Sequence, residues 1–347
     1  MKKLLNPYSR EDALKHLEKD TRPRITLSCY RYVHIMDPHA LRDELYVEWS
    51  SMGVLGRIYL SQEGINAQLS LPEAELPEFR ATMDARSEFK DIPFKIAVED
   101  GFSFYKLTIK VKNQIVADGL APGTYDIENV GTHLDAEAFN ALLEEDDVVV
   151  VDMRNAYESR IGRFEGALCP PSDTFRDELP MVSGMLQEHK EKKIALYCTG
   201  GIRCEKASAY LKSEGFQNVH QLYGGIIQYA KDVAAKGLPS RFIGKNFVFD
   251  ERGAETITDD VLTECDICKQ SCDEYINCQN AMCNLLFISC KTCCAKLENT
   301  CSEMCQGIIH LSLEEQQALR QKQRPTTQKI FRKRMHPETE RAVFELE

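Results

Sequence analysis

Lys193-Ile-Ala-Leu-Tyr-Cys198-Thr-Gly-Gly-Ile-Arg203 is the stretch on which the reading of this chain turns. Residues 194–197 make a short apolar run of the kind buried on both faces of a parallel sheet, and it breaks at a cysteine followed by two glycines. A helical pattern then runs from Arg203 to Glu214. Cys198 therefore falls at the carboxyl end of a strand, where open α/β sheets bind their ligands. Glycine permits backbone angles that turn successive N–H groups toward one point, and a helix N-terminus adds partial positive charge. A cradle made of Thr199, Gly200, Gly201 and Ile202, with Arg203 closing the ring, should hold a Cys198 sulfur as the thiolate. That is what a nucleophilic or persulfide-forming cysteine needs. A lone cysteine is more often a small buried residue, but here strand, Cys, Gly-Gly, Arg and helix coincide, which favours chemistry. Cys204, six positions on, is either a resolving thiol or a packing residue.

Outward from this loop, Val148-Val-Val-Val151 is a second buried-strand run, and helical segments separate the two. The alternation predicts a doubly wound α/β domain over 144–236. Before it, Gly119-Leu-Ala-Pro-Gly123 and Gly131 punctuate a linker, 119–143. Between 24 and 118 the hydrophobic period changes repeatedly. Ile25 to Val33, Val54 to Gly64, Ile65 to Leu71, Phe94 to Val98 and Phe104 to Val111 read as strands. Helices are expected after Asp37-Pro38 and over Glu73 to Met83. The order βαββαβ is that of a ferredoxin-like α+β domain. A lead-in (1–23), a cysteine-rich region (237–310) and a basic, disordered tail (311–347) complete the division.

At 347 residues, two or three such units are expected. A hydrophobic share of 43% and a charged share of 28% place the chain among soluble folded proteins. No run approaches the roughly 20 apolar residues that span a bilayer, and Met1-Lys-Lys-Leu-Leu-Asn6 lacks the features of a signal peptide, so the expected location is the cytoplasm, away from membranes. There, fourteen cysteines argue for thiols, metal ligands or catalysis rather than disulfides. Ten crowd between Cys265 and Cys305. The pairs Cys265-x2-Cys268 and Cys290-x2-Cys293 have zinc-ribbon-like separation, and one or two metal sites, free thiols or an iron–sulfur cluster are open readings. The net charge of −11 excludes a broadly basic nucleic-acid-binding surface but leaves room for a local one. Arg320 to Arg334 holds seven Lys or Arg and no acid; it is either a phosphate-binding arm, with Phe331 for stacking, or a solvated tail.

Val149-Val-Val-Asp152-Met-Arg154-Asn-Ala-Tyr-Glu158, then Gly162-Arg-Phe-Glu-Gly166-Ala-Leu, then the six-residue Cys-x4-Arg loop resemble the rhodanese superfamily. Arg163 stands where that family usually has His. The resemblance implies that Asp152, Arg154 and Glu158 brace the active face, which reads best as a structural ion-pair network. Together with Glu63-Gly-Ile-Asn-Ala67, Lys112 to Gly119, Asp173-Thr-Phe-Arg-Asp177, Tyr197 to Ala207 and Phe242 to Arg252, the chain is similar over nearly its whole length to the bacterial tRNA uridine(34) hydroxylase family. That likeness implies oxygen-dependent conversion of wobble uridine to 5-hydroxyuridine on the anticodon region of tRNA, with O2 as co-substrate, an unassigned electron donor, and the position of Cys198 as the required residue. No dinucleotide fingerprint or two-His-one-carboxylate pattern supplies an oxygen-activating cofactor. A persulfide-carrying sulfurtransferase and a non-enzymatic RNA-binding or redox-sensing protein are the alternatives.

Overall fold

Alternation of side chains across extended backbone explains how the first domain both builds a core and presents a polar face. In the computed structural model, which describes residues 8–322 together with Leu4 and Asn6, helix α1 (Arg10–Glu18) leads into strand β1 (Arg24–Tyr32). Helix α2 (Pro38–Ser51), strands β2 (Leu55–Ser61) and β3 (Gly64–Pro72), helix α3 (Leu76–Asp84) and strands β4 (Lys95–Ile96) and β5 (Leu107–Val111) follow. Asp37 caps α2 by accepting from the N–H groups of His39 and Ala40, with Pro38 in the first turn. Leu27 and Cys29 of β1 and Ile65, Ala67, Leu69 and Leu71 of β3 point to one side and bury against Trp49 and Phe79 of the helices. Thr26, Ser28, Tyr30, Asn66 and Gln68 point to the other.

The strand order β4-β1-β3-β2 is the ferredoxin-like one. The expected βαββαβ order is extended by a fifth strand: β5 joins the β2 edge in parallel, satisfying backbone groups that a four-stranded sheet would expose.

The second domain consists of β6 (Thr132–Leu134), α4 (Ala136–Leu143), β7 (Val148–Asp152), α5 (Ala156–Arg160), β8 (Gly162–Phe164), α6 (Phe175–Met185), β9 (Lys193–Tyr197), α7 (Ile202–Ser213), β10 (Val219–Leu222) and α8 (Gly225–Lys236). Its parallel sheet runs β6-β10-β9-β7. Leu179, Val182 and Leu211 of α6 and α7 pack on one face with Ile194 and Leu196; Phe139, Ile226 and Tyr229 of α4 and α8 pack on the other with Ala195 and Tyr197. The doubly wound expectation holds, but the expected linker, 119–143, does not end where its turn residues suggested. β6 pairs with β10 and Phe139 is wholly buried, so the domain begins near Thr132.

The cysteine-rich region is not separate at its start either. Strand β11 (Phe242–Phe247) pairs antiparallel with β8 of the α/β domain and with β12 (Ala254–Thr256). Strands β13 (Tyr275–Asn277) and β14 (Leu286–Ile288) form a hairpin, followed by α9 (Lys291–Lys296) and α10 (Glu303–Ile309). The tail expected to be disordered from 311 opens instead with helix α11 (Leu313–Lys322). Residues 323–334 of the basic arm, Phe331 included, lie outside the described residues. No helix among the described residues is long and apolar enough to cross a membrane.

Candidate active site

Strand β9 delivers Cys198 to the end of the sheet, and Gly201, with φ +96°, turns the chain into α7. A left-handed residue is required there, and a side chain would also meet the Tyr30 hydroxyl at 2.8 Å. Gly200 meets no such constraint. On the neighbouring turn, a Cβ at Gly225 would lie 2.5 Å from the Cys198 carbonyl oxygen, so the packing of α8 under the loop also depends on a glycine.

The turn aims the Gly201 N–H at the Cys198 sulfur, 3.1 Å away. Burial disfavours the thiolate. It is outweighed by donation from the Cys204 thiol, by the Arg203 charge and by the backbone N–H groups of Cys204 and Arg203, and the thiol is lowered to about 6. Cys204, itself buried, is raised well above its ordinary value, first by burial and then by donating to Cys198. It is a proton-bearing partner of the sulfur, a role that neither sequence reading of this residue contained.

Arg203 acts on the sulfur through its backbone N–H and its charge. Its guanidinium is gripped by Glu158 through two bonds of 2.7 and 2.9 Å, with Thr199 Oγ1 3.3 Å away. Glu158 is oriented in turn by the Asn155 N–H at the start of α5. The trio expected to brace the face therefore divides. Asp152 and Arg154 form a fully buried pair of 2.7 Å, completed by the Tyr197 hydroxyl and the Gly162 carbonyl, beneath the sheet end. Glu158 belongs to the loop. Glu178 on α6 is also buried near Arg203; burial raises it well above the ordinary carboxyl range, against the lowering effect of the Arg203 charge.

Cys198 has no exposed surface, yet it lines a cavity of about 280 Å³. Three parts of the chain wall it. The loop contributes Cys198, Thr199, Gly200, Ile202 and Arg203, the first domain contributes its polar face with Ser28, Tyr30, Asn66, Gln68 and Lys95, and the segment after β11 contributes Phe249 and Arg252. Of the expected site residues, Cys198, Thr199, Gly200, Ile202 and Arg203 line this cavity, Gly201, Asp152, Arg154, Glu158 and Cys204 do not, and the four expected metal ligands gather in the C-terminal region.

Several residues in this arrangement carried no sequence signal. Lys95, on a two-residue strand, is buried with its ammonium 4.1 Å from the Tyr30 ring, and burial lowers it to about 8. The Tyr30 hydroxyl donates to Glu205 at 2.8 Å, and His133 and Gln221 bind the same carboxylate. Lys206 ties three quoted motifs together. Its ammonium meets Glu63 at 3.0 Å and Asp118 at 2.9 Å, and the Ile115 N–H donates to Glu63. The first domain is thereby held against α7.

The remaining cysteines form two groups. Cys265, Cys268, Cys290 and Cys293 bring their sulfurs together as the spacing predicted, and so do Cys278, Cys283, Cys301 and Cys305; each group could hold a metal ion.

A thiolate at the end of a doubly wound sheet, in a six-residue loop opening a helix, defines a rhodanese-like protein with an added ferredoxin-like domain. Family models agree: residues 24–115 match the UPF0176 acylphosphatase-like domain, 135–232 the rhodanese-like domain and 243–306 the rhodanese C-terminal region. Among curated proteins, the tRNA uridine(34) hydroxylase of Leptospira interrogans is 52% identical over 91% of this chain and 87% of its own length. That of Pectobacterium carotovorum is 50% identical over 95% and 93%, and that of Cronobacter sakazakii 48% over 95% of each. The chain belongs to the tRNA uridine(34) hydroxylase family.

Proposed function

We propose that this chain is a cytoplasmic tRNA-modifying oxidoreductase that converts uridine 34 of the anticodon to 5-hydroxyuridine with O2. The observation that carries the reading is the ionised Cys198 on the wall of a cavity whose other side is the polar face of a separate domain. The cavity is close to the ~300 Å³ lower end of small-ligand sites, which suits one flipped-out base better than a length of strand. Asn66 and Gln68 offer amides of the kind that pair with the edge of a uracil ring.

In the proposed mechanism the Cys198 thiolate adds to C6 of the ring, and the electron pair of the C5–C6 bond moves toward C5 and the O4 carbonyl. Lys95 and the loop N–H groups stabilise the negative charge. C5 then takes one oxygen atom from O2, while an external donor supplies two electrons that reduce the other to water. Loss of the C5 proton and expulsion of the thiolate restore the ring. Arg203, fixed by Glu158, acts as a positioning and charge-balancing residue. The tetrad Cys265, Cys268, Cys290 and Cys293 holds a structural zinc.

The test is the nucleoside profile of tRNA from cells lacking the gene, complemented with wild type or Cys198→Ala. Restoration of 5-hydroxyuridine derivatives by wild type alone is expected. Restoration of thiolated bases would establish sulfur transfer instead, and an unchanged profile would leave only a non-enzymatic role. A covalent adduct with 5-fluorouridine tRNA is expected for wild type; an active Cys198→Ser protein would overturn the thiolate mechanism.

A further inference from the structure

The order of the cysteine pairs along the chain is not the order in which they meet. Cys265-x2-Cys268 joins Cys290-x2-Cys293, while Cys278-x4-Cys283, which lies between them, joins Cys301-x3-Cys305. The first and third pairs make one group, and the second and fourth the other.

Within the groups the spacing is that of a single tetrahedral ion. A zinc–sulfur bond of about 2.3 Å at the tetrahedral angle sets sulfurs ~3.8 Å apart. Cys268 and Cys290 are 3.7 Å apart, and so are Cys283 and Cys301, and Cys301 and Cys305. In both groups every ligand atom lies within 4.8 Å of the others. A disulfide needs about 2.05 Å. An iron–sulfur cluster spreads its cysteines over separate iron atoms and needs a wider cage.

The surrounding backbone repeats in both groups. The Cys290 N–H donates to Cys265 Sγ and the Cys301 N–H to Cys278 Sγ, each at 3.4 Å, and the Asn280 amide donates to Cys305 Sγ at 3.3 Å. Lys269 and Asn284, the residues right after Cys268 and Cys283, have φ +65° and +47°, so the chain turns sharply around each sulfur pair. Little else could hold this region. Its strands are three residues long, and the apolar cluster around the second group contains one fully buried large side chain, Phe287. Such a core is too small to fold unaided.

We infer that the C-terminal region binds two mononuclear zinc ions in cross-braced tetrathiolate sites, the second on Cys278, Cys283, Cys301 and Cys305. The inference rests on the zinc reading of the first tetrad and adds a site to it. Each ion binds as four thiols release four protons, with no change of oxidation state. Because the pairs alternate, the β13–β14 hairpin is locked from both ends. The first site also reaches the active loop: Asp266, next to Cys265, binds Arg160 at 2.8 Å, and Tyr275 donates to the Tyr157 carbonyl. Both contacts fall on α5, the helix carrying Glu158.

Elemental analysis and native mass spectrometry of the full chain, purified without chelator, should give two zinc and no stoichiometric iron per chain. Cys278→Ser should retain one zinc. In case that variant does not fold, the cadmium-113-loaded wild type should give two resonances in the tetrathiolate range. One zinc per chain, retained in Cys278→Ser with a single cadmium resonance, would overturn the second site and leave the first. Absence of metal, or stoichiometric iron, would overturn both.

Discussion

Replacing Cys204 with alanine removes the thiol that donates to Cys198 and leaves the rest of the loop in place. The Cys198 thiol lies about three units below its ordinary 9.0, which corresponds to about 4 kcal/mol in favour of the thiolate. A hydrogen bond to a charged group contributes about 1.5–3 kcal/mol, or roughly one to two pKa units. Without it the Cys198 titration should move up to roughly 7–8. At pH 7 the thiolate share should fall from about nine-tenths to between a half and a tenth, with a matching fall in the rate of alkylation. The assay is iodoacetamide labelling of the Cys198 peptide against pH, read by mass spectrometry. Cys204→Ser keeps a donor and should titrate near wild type. An unmoved midpoint in Cys204→Ala, or a wild-type midpoint near 9, would refute this account of the loop.

Cys198 is anionic above about 6 and Lys95 cationic below its lowered pKa of about 8, so activity should rise through about 6 and fall through about 8. Lys95→Met should lose the alkaline limb; an identical bell in both proteins would exclude the lysine from the reaction. Glu158→Gln breaks a buried bidentate pair and should cost about 3–5 kcal/mol in urea denaturation, together with a large loss of turnover; a change under ~1 kcal/mol would be inconsistent with the pairing. Lys206→Met leaves Asp118 and Glu63 without their cation and should cost about 3 kcal/mol. The first domain of that variant should become more open to proteolysis than the α/β domain, and equal protection would argue against the tie.

Much of the fold was legible because it depends on local rules. Short apolar runs at 148–151 and 194–197, bounded by polar or turn-forming residues, fit parallel strands, and a left-handed glycine between a strand and a helix can be seen from the order of residues alone. The errors came where local signals are weak. The three-residue β6 follows turn-forming glycines, so its pairing with β10 left no pattern in the linker. The strand pattern at β5 is legible, but its parallel partner lies some fifty residues away, so its place at the sheet edge is not.

That a cysteine sits at a helix N-terminus with an arginine nearby follows from local order alone, because strand, glycine turn and helix are set within a dozen residues. Which groups meet that sulfur was decided only by tertiary structure. Glu158 instead of solvent holds Arg203, Lys95 and Tyr30 arrive from another domain, and cysteine pairs join alternately rather than in sequence. These contacts depend on how separately folded faces pack, and no period or spacing along a single chain encodes the distance between two such faces.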